Sequence, residues 1–153
     1  MSAKVTNLKA RRRALAEELA EELDLHVSDV KSAPYDQALL IVRPHSAPER
    51  EYLVLTEPEA RRRTTEYIKE SLWAFRAEFV IKYTCLPADS VPMVRGWQET
   101  QCEGANETLL KLVGRKLHKL IDDAVAADGR GCFLAGYDHE ELRRGPWYIY
   151  RTH

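Results

Sequence analysis

The densest run of side chains able to do chemistry is Tyr137-Asp138-His139-Glu140-Glu141, which follows a glycine-rich stretch. Carboxylates beside a histidine can ligate a divalent cation or serve as general acid and base. Neighbouring residues on an extended chain point to alternate sides, however, and no second histidine stands at helical spacing as in HExxH. The run therefore reads as a structural or surface acidic loop. A metal or acid-base site at Asp138, His139, Glu140 and Glu141 is the enzymatic alternative. No GxSxG elbow is present for a nucleophilic serine. Gly129-Arg130-Gly131 is too short for a phosphate loop, since it fits neither GxGxxG nor GxxxxGK[ST]. His118 falls inside a helical pattern and reads as an ordinary helix histidine. Cys85, Cys102 and Cys132 form an odd set without CxxC spacing, which points to free thiols in a reducing cytoplasm and not to disulfides or zinc. No catalytic residue, cofactor or metal is assigned on this reading.

Charge is segregated where it is densest. Lys9, Arg11, Arg12 and Arg13 precede Glu17, Glu18, Glu21 and Glu22, and the order opposes the helix dipole that this segment would carry. Such a face is either solvated or used to meet a partner. With Asp138, Glu140 and Glu141, the side chains of Arg11, Arg12, Arg13, Glu17, Glu18, Glu21 and Glu22 make the candidate partner-binding set. Over the whole chain 23 basic residues nearly cancel 24 acidic ones. A duplex-binding protein normally carries a clear positive excess, so direct nucleic-acid binding is not expected. An accessory nucleic-acid binder using Arg11 to Arg13 and Arg61 to Arg63 is a third reading, and its affinity would fall steeply with salt. No apolar run approaches the length of about 18 residues that a membrane span needs, and the N-terminus lacks a signal-peptide pattern. A cytoplasmic protein without membrane attachment is the expectation.

The elements that must position these groups fit one α+β domain over residues 1–153, with helices packed on a small antiparallel sheet. Apolar residues make up 44% of the 153, enough for a packed interior. Leu8, Leu15, Leu19 and Leu23 recur at helical spacing, predicting a helix from Thr6 as cap to about Leu25. A stripe that the small sheet cannot fully cover would favour a homodimer. Ala38-Leu39-Leu40-Ile41-Val42 and Tyr52-Leu53-Val54-Leu55 read as a looped hairpin, and Trp147-Tyr148-Ile149-Tyr150 as a closing strand that pairs with it. Thr56-Glu57-Pro58-Glu59 has the capping-box pattern and should start a helix that continues or kinks through Trp73 and Phe75 to Tyr83, its aromatics assigned to packing. A shorter helix is predicted from Ser90 to Gln101, with Met93, Val94 and Trp97 inward. Asn106 should cap one long helix through Leu110, Val113, Leu117, Leu120, Ile121 and Ala124, ended by Gly129 in the left-handed conformation.

Glu51-Tyr-Leu-Val-Leu-Thr56, Glu66 to Phe75, Asp128-Gly-Arg-Gly-Cys-Phe-Leu-Ala-Gly-Tyr-Asp138 with Glu140-Glu141, and Tyr148-Ile-Tyr-Arg151 together resemble a group of small uncharacterised proteins of bacteria, phages and plasmids. The resemblance covers residues 35–151 in pieces. Members of that group usually show histidine where Cys132 stands and glycine where His139 stands, so a histidine that mattered chemically there is lost in this chain, which weakens the enzymatic reading. In size and in lacking catalytic motifs the chain also resembles anti-CRISPR inhibitors of type I-F systems. That resemblance implies a non-enzymatic inhibitor that occludes a Cas surface, either the crRNA-guided surveillance complex or the helicase-nuclease it recruits.

Overall fold

The computed structural model describes residues 3–22, 26–36, 38–45 and 47–153, without the side chains of residues 3–9, 11, 22 and 27. The chain resolves into two compact units. The first comprises Met1–Ala60 with Arg130–His153, and the second Arg61–Gly129.

A five-stranded sheet organises the first unit: β1 (Val30–Ser32), β2 (Leu39–Val42), β3 (Arg50–Leu55), β4 (Leu142–Arg144) and β5 (Trp147–Arg151), in the order β1-β2-β3-β5-β4 with every pair antiparallel. The expected hairpin and closing strand form the three central strands, and β5 pairs with β3 through Leu53↔Tyr150 and Val54↔Ile149. The edge strands β1 and β4 add two short pairings beyond that expectation. Side chains alternate across the pleat, so one strand feeds two cores. Leu40, Val54, Trp147 and Ile149 point to one face, where α1 (Ala3–Glu22) lays down Leu15, Ala16 and Leu19. Leu39, Leu53, Leu55 and Tyr150 point to the other, closed by Ala60 of α2 (Glu57–Glu70) and by Leu134 and Ala135 at the end of a short helix, α7 (Gly131–Leu134).

Two expectations about α1 change. The helix already begins at Ala3, so Thr6 lies inside it and cannot be its cap. Leu15 and Leu19 are buried within the chain, which removes the ground for a dimer through their stripe; the side chain of Leu8 and the whole of Leu23 and Leu25 lie outside the described residues.

The Glu59 half of the capping box forms as read. Glu59 Oε2 accepts the Thr56 N–H at 2.8 Å, and the Ala60 N–H reaches the Thr56 carbonyl at 2.9 Å. A second cation completes it, because Arg12 crosses from α1 to pair with Glu59 while its guanidinium stands 5.9 Å from the centre of the Trp147 ring.

The second unit is helical. After α2, a 3-10 turn (Leu72–Ala74) leads to α3 (Ala77–Ile81), then α4 (Val91–Gln101), α5 (Asn106–Val113) and α6 (Leu117–Asp128). Leu72, Val80, Tyr83, Val94, Leu109 and Leu120 are buried. Of the aromatics assigned to packing, Tyr83 is buried, Phe75 stacks on Phe79 and Phe79 meets Tyr83 edge to face, whereas Tyr67 is exposed. In α4, Val94 is buried, Trp97 is half-buried and Met93 faces solvent, so Gln98 takes the inward position instead. Its side-chain amide donates to the carbonyls of Leu72 and Phe75 at 3.2 and 2.8 Å, where the chain turns.

The single long helix expected after Asn106 is broken at Gly114, whose φ of +54° interrupts the ladder between α5 and α6. Asn106 caps something else: its side-chain oxygen accepts the Trp73 N–H at 3.2 Å and its amide donates to the Lys69 carbonyl at 2.5 Å, closing the end of α2 rather than the start of its own helix. Gly129 does end α6 with a φ of +76°, but its ψ of 158° is extended and not left-handed helical.

Burial raises the Glu59 pKa, but the Thr56 N–H and the Arg12 guanidinium outweigh it and hold the carboxyl below its ordinary 4.5. A folded value below the unfolded one stabilises at pH above the unfolded value, and that contribution is lost as pH falls through the folded value. Glu59→Gln should therefore cost about 1–2 kcal/mol in urea unfolding at neutral pH and much less at about pH 3. An equal deficit at both pH values would show that the charge contributes nothing.

Candidate functional site

Arg130, where the chain re-enters the first unit, takes up one of the polar residues singled out above, Glu141. It precedes α7, whose single turn is closed by Leu134 N–H to Arg130 carbonyl at 3.0 Å and Ala135 N–H to Gly131 carbonyl at 2.8 Å. The chain then doubles back through residues 136–141. His139 takes a left-handed conformation with φ +61° and returns its N–H to the Ala135 carbonyl at 2.9 Å. Asp138 accepts the Glu140 N–H at 3.0 Å in an Asx turn, and the Tyr137 N–H bonds the Arg151 carbonyl at 3.2 Å.

Gly131 permits this fold-back. A Cβ there would stand 2.3 Å from the His139 carbonyl oxygen and 2.8 Å from the Glu140 carbonyl carbon, closer than any side chain tolerates against backbone. The second glycine of Gly129-Arg130-Gly131 thus serves close approach of two backbone segments, with no phosphate involved.

The side chains lock what the backbone arranges. Arg130 forks onto Glu141, with Nε to Oε2 at 2.9 Å and Nη2 to Oε1 at 3.2 Å, and its Nη1 donates to Glu57 Oε2 at 2.8 Å. Its guanidinium lies 4.5 Å from the centre of the Tyr148 ring, and only 14% of the side chain is exposed. The buried Tyr150 hydroxyl donates to Glu141 Oε2 at 2.5 Å. Burial pushes the Tyr150 pKa far up and its bond to Glu141 pushes further in the same direction, so the phenol stays a donor. Burial works against the charge on Arg130, but the carboxylates of Glu141 and Glu57 prevail and fix it as a cation.

Chemically this is a clamp. Glu141 accepts three hydrogen bonds, two of them from a cation, and Tyr150, its pKa raised, is a poor acid at neutral pH. Asp138 is turned into its own loop. Among the described residues no group of three or more His, Cys, Asp or Glu side chains is placed to hold a metal ion. What the clamp does achieve is display: Tyr137 and Leu142 are 59% and 50% exposed, and Asp138, His139 and Glu140 are exposed between them. The ring of Tyr137 is steadied by the Arg151 guanidinium 3.6 Å from its centre.

The candidate partner-binding residues do not form one surface. Glu17, Glu18 and Glu21 are exposed on α1, with Arg13 beside Glu17 at 3.6 Å, on one face of the sheet. The 137–141 loop is fastened to the opposite face through Tyr148 and Tyr150. Arg12 leaves the basic run to pair with Glu59, and Arg62 pairs with Glu66 at 3.6 Å. The side chains of Arg11 and Glu22 lie outside the described residues. His118 is exposed, its Nδ1 2.9 Å from the Arg115 carbonyl, and all three cysteines are free and exposed.

In the second unit, a groove of about 550 Å³ runs between Trp73, Phe75, Arg76 and Gln98, bordered by the Arg95–Glu78 ion pair. No described helix is long and apolar enough to cross a membrane. No protein-family model, curated protein or solved structure significantly matches the chain.

Sequence reasoning missed Arg130, Glu57, Tyr148 and Tyr150 as one cluster. The available signal was an arginine bracketed by glycines, followed eleven residues later by a glutamate. Gly131→Ala is expected to cost about 3 kcal/mol or more, because backbone on both sides must move. Tyr150→Phe should cost only about 1 kcal/mol, the value of one hydrogen bond. Urea denaturation checks both, and a benign Gly131→Ala would mean that the two backbones are not held in contact in solution.

Proposed function

We propose that this chain acts by binding a protein partner through a rigid surface loop, as a stoichiometric inhibitor of a CRISPR-Cas component. The observation that carries the binding half of this reading is the clamp: Arg130, Glu57, Glu141 and Tyr150 are committed to one another, and the loop they hold offers Tyr137, Asp138 and Glu140 to solvent. An aromatic anchor beside acidic side chains on a preordered backbone loses little entropy on docking and suits a basic protein surface. Surfaces that grip crRNA or DNA are basic, which joins this loop to the resemblance to type I-F inhibitors. The resemblance alone supplies the target.

The two acidic surfaces make the reading testable in parts. Purified type I-F surveillance complex and helicase-nuclease should co-elute with the chain, and equimolar protein should suppress target cleavage. Tyr137→Ala combined with Glu140→Gln is expected to weaken that complex at least about tenfold, while charge reversal of Glu17, Glu18 and Glu21 on the opposite face leaves it within about threefold. No complex and undiminished cleavage would end the proposal. Sensitivity confined to α1 would move the interface to that helix.

A further inference from the structure

β4 is an edge strand of the sheet, and residues 139–143, which lead into it and form its first two positions, are all exposed. An edge leaves every second residue with backbone N–H and C=O groups turned away from its neighbour, a template for one more strand. Edges that stay unpaired are usually blunted by charge of one sign or by a charged residue pointing inward. β4 and the residues leading into it do something different: Glu140-Glu141-Leu142-Arg143-Arg144 reverses sign about its centre. Read against its own reverse, as an antiparallel neighbour would be, each acid meets a base and leucine meets leucine. The other edge, Val30-Lys31-Ser32 of β1, has no such pattern.

We propose that the β4 edge pairs with a second copy of this chain, antiparallel about a two-fold axis at Leu142, so that the sheet continues from one protomer into its partner. In that register Glu140 of each copy lies opposite Arg144 of the other, Glu141 opposite Arg143, and Leu142 opposite Leu142. Residues two apart share a face, so Glu140, Leu142 and Arg144 form one three-residue cluster with their symmetry mates. Leu142, 50% exposed in the single chain, would then be covered by its own copy. The Glu140–Arg144 pairs, formed twice about the axis, set the register. Opposite charges directly across an antiparallel pair stabilise it and like charges destabilise it. The strand is only three residues long, so the dimer is a weak one, with a Kd on the order of 100 µM. This pairing uses Glu140, as the proposed partner surface does, but it requires no CRISPR-Cas component and is measured on the protein alone.

Sedimentation equilibrium of the full chain should show monomer and dimer in concentration-dependent exchange. Glu140→Lys and Arg144→Glu should each weaken dimerisation at least about tenfold, because each places like charges opposite one another twice. Mixing the two variants should restore it, since the introduced lysine then faces the introduced glutamate and Arg144 faces Glu140. That recovery also shows that both variants are folded. In a chain with Cys85, Cys102 and Cys132 replaced by serine, Leu142→Cys should cross-link to its own copy on mild oxidation, as expected for Cβ atoms about 5 Å apart. A parent that stays monomeric at about 1 mM, or a dimer that neither charge reversal disturbs, overturns the proposal.

Discussion

The first unit depends on the burial of one guanidinium. Arg130 is stacked on Tyr148, forked onto Glu141 and joined to Glu57, so it connects β5, the 137–141 loop and the first turn of α2. A cation with so little exposure is tolerable only if carboxylates meet it in good geometry, and a fork onto one with a third contact from another meets that condition. The arrangement then constrains everything near it. Removing either carboxylate leaves a buried charge short of its partners, and replacing arginine by lysine gives up the planar fork. Tyr150 adds a neutral donor to the same carboxylate from the hydrophobic face of the sheet.

This dependence explains which parts of the molecule were legible in the sequence. β2, β3 and β5 are, because their β-branched and aromatic residues alternate between two cores, and the capping box at Thr56 is, because its signature is local. Features set by long-range geometry are not. The strands β1 and β4 are three residues each and exist because a neighbour pairs with them. Asn106 looks like the cap of its own helix from sequence, yet it serves α2, 37 residues earlier. Gly114 looks tolerable inside an apolar helical stripe, but its positive φ divides that stripe into two helices.

The polar run at residues 137–141 is the sharpest case. Its composition suggests acid-base chemistry, and its fold engages two of its carboxylates, one with the backbone and one in a salt bridge. Asp138 holds a turn and Glu141 neutralises Arg130. Residue type alone could not tell these roles from catalysis, because catalysis needs a group poised with unsatisfied capacity and a clamp needs that capacity filled. The distinction lies in partners that come from residues 57, 130 and 150. The same holds for the basic run near the N-terminus, where Arg12 and Arg13 are neighbours in sequence, one of them turned in to Glu59 and the other 83% exposed.

The clamp also bears on how the first unit can be discontinuous in sequence. Glu57 and Arg130 are 73 residues apart, and bringing two such points of a flexible chain together costs roughly 4 kcal/mol before any fixed term. No single surface ion pair offsets that. A forked, stacked and largely buried arginine with a tyrosine donor beside it contributes several interactions at one place, and the Gly131 contact adds backbone packing that only glycine allows. A joint stable enough to close the unit is therefore also stiff. The loop hung from it inherits that stiffness, so Tyr137 and Glu140 meet solvent on a backbone that has little freedom left to lose. Closure of the fold and the stiffness of an exposed loop are, in this protein, consequences of the same buried charge.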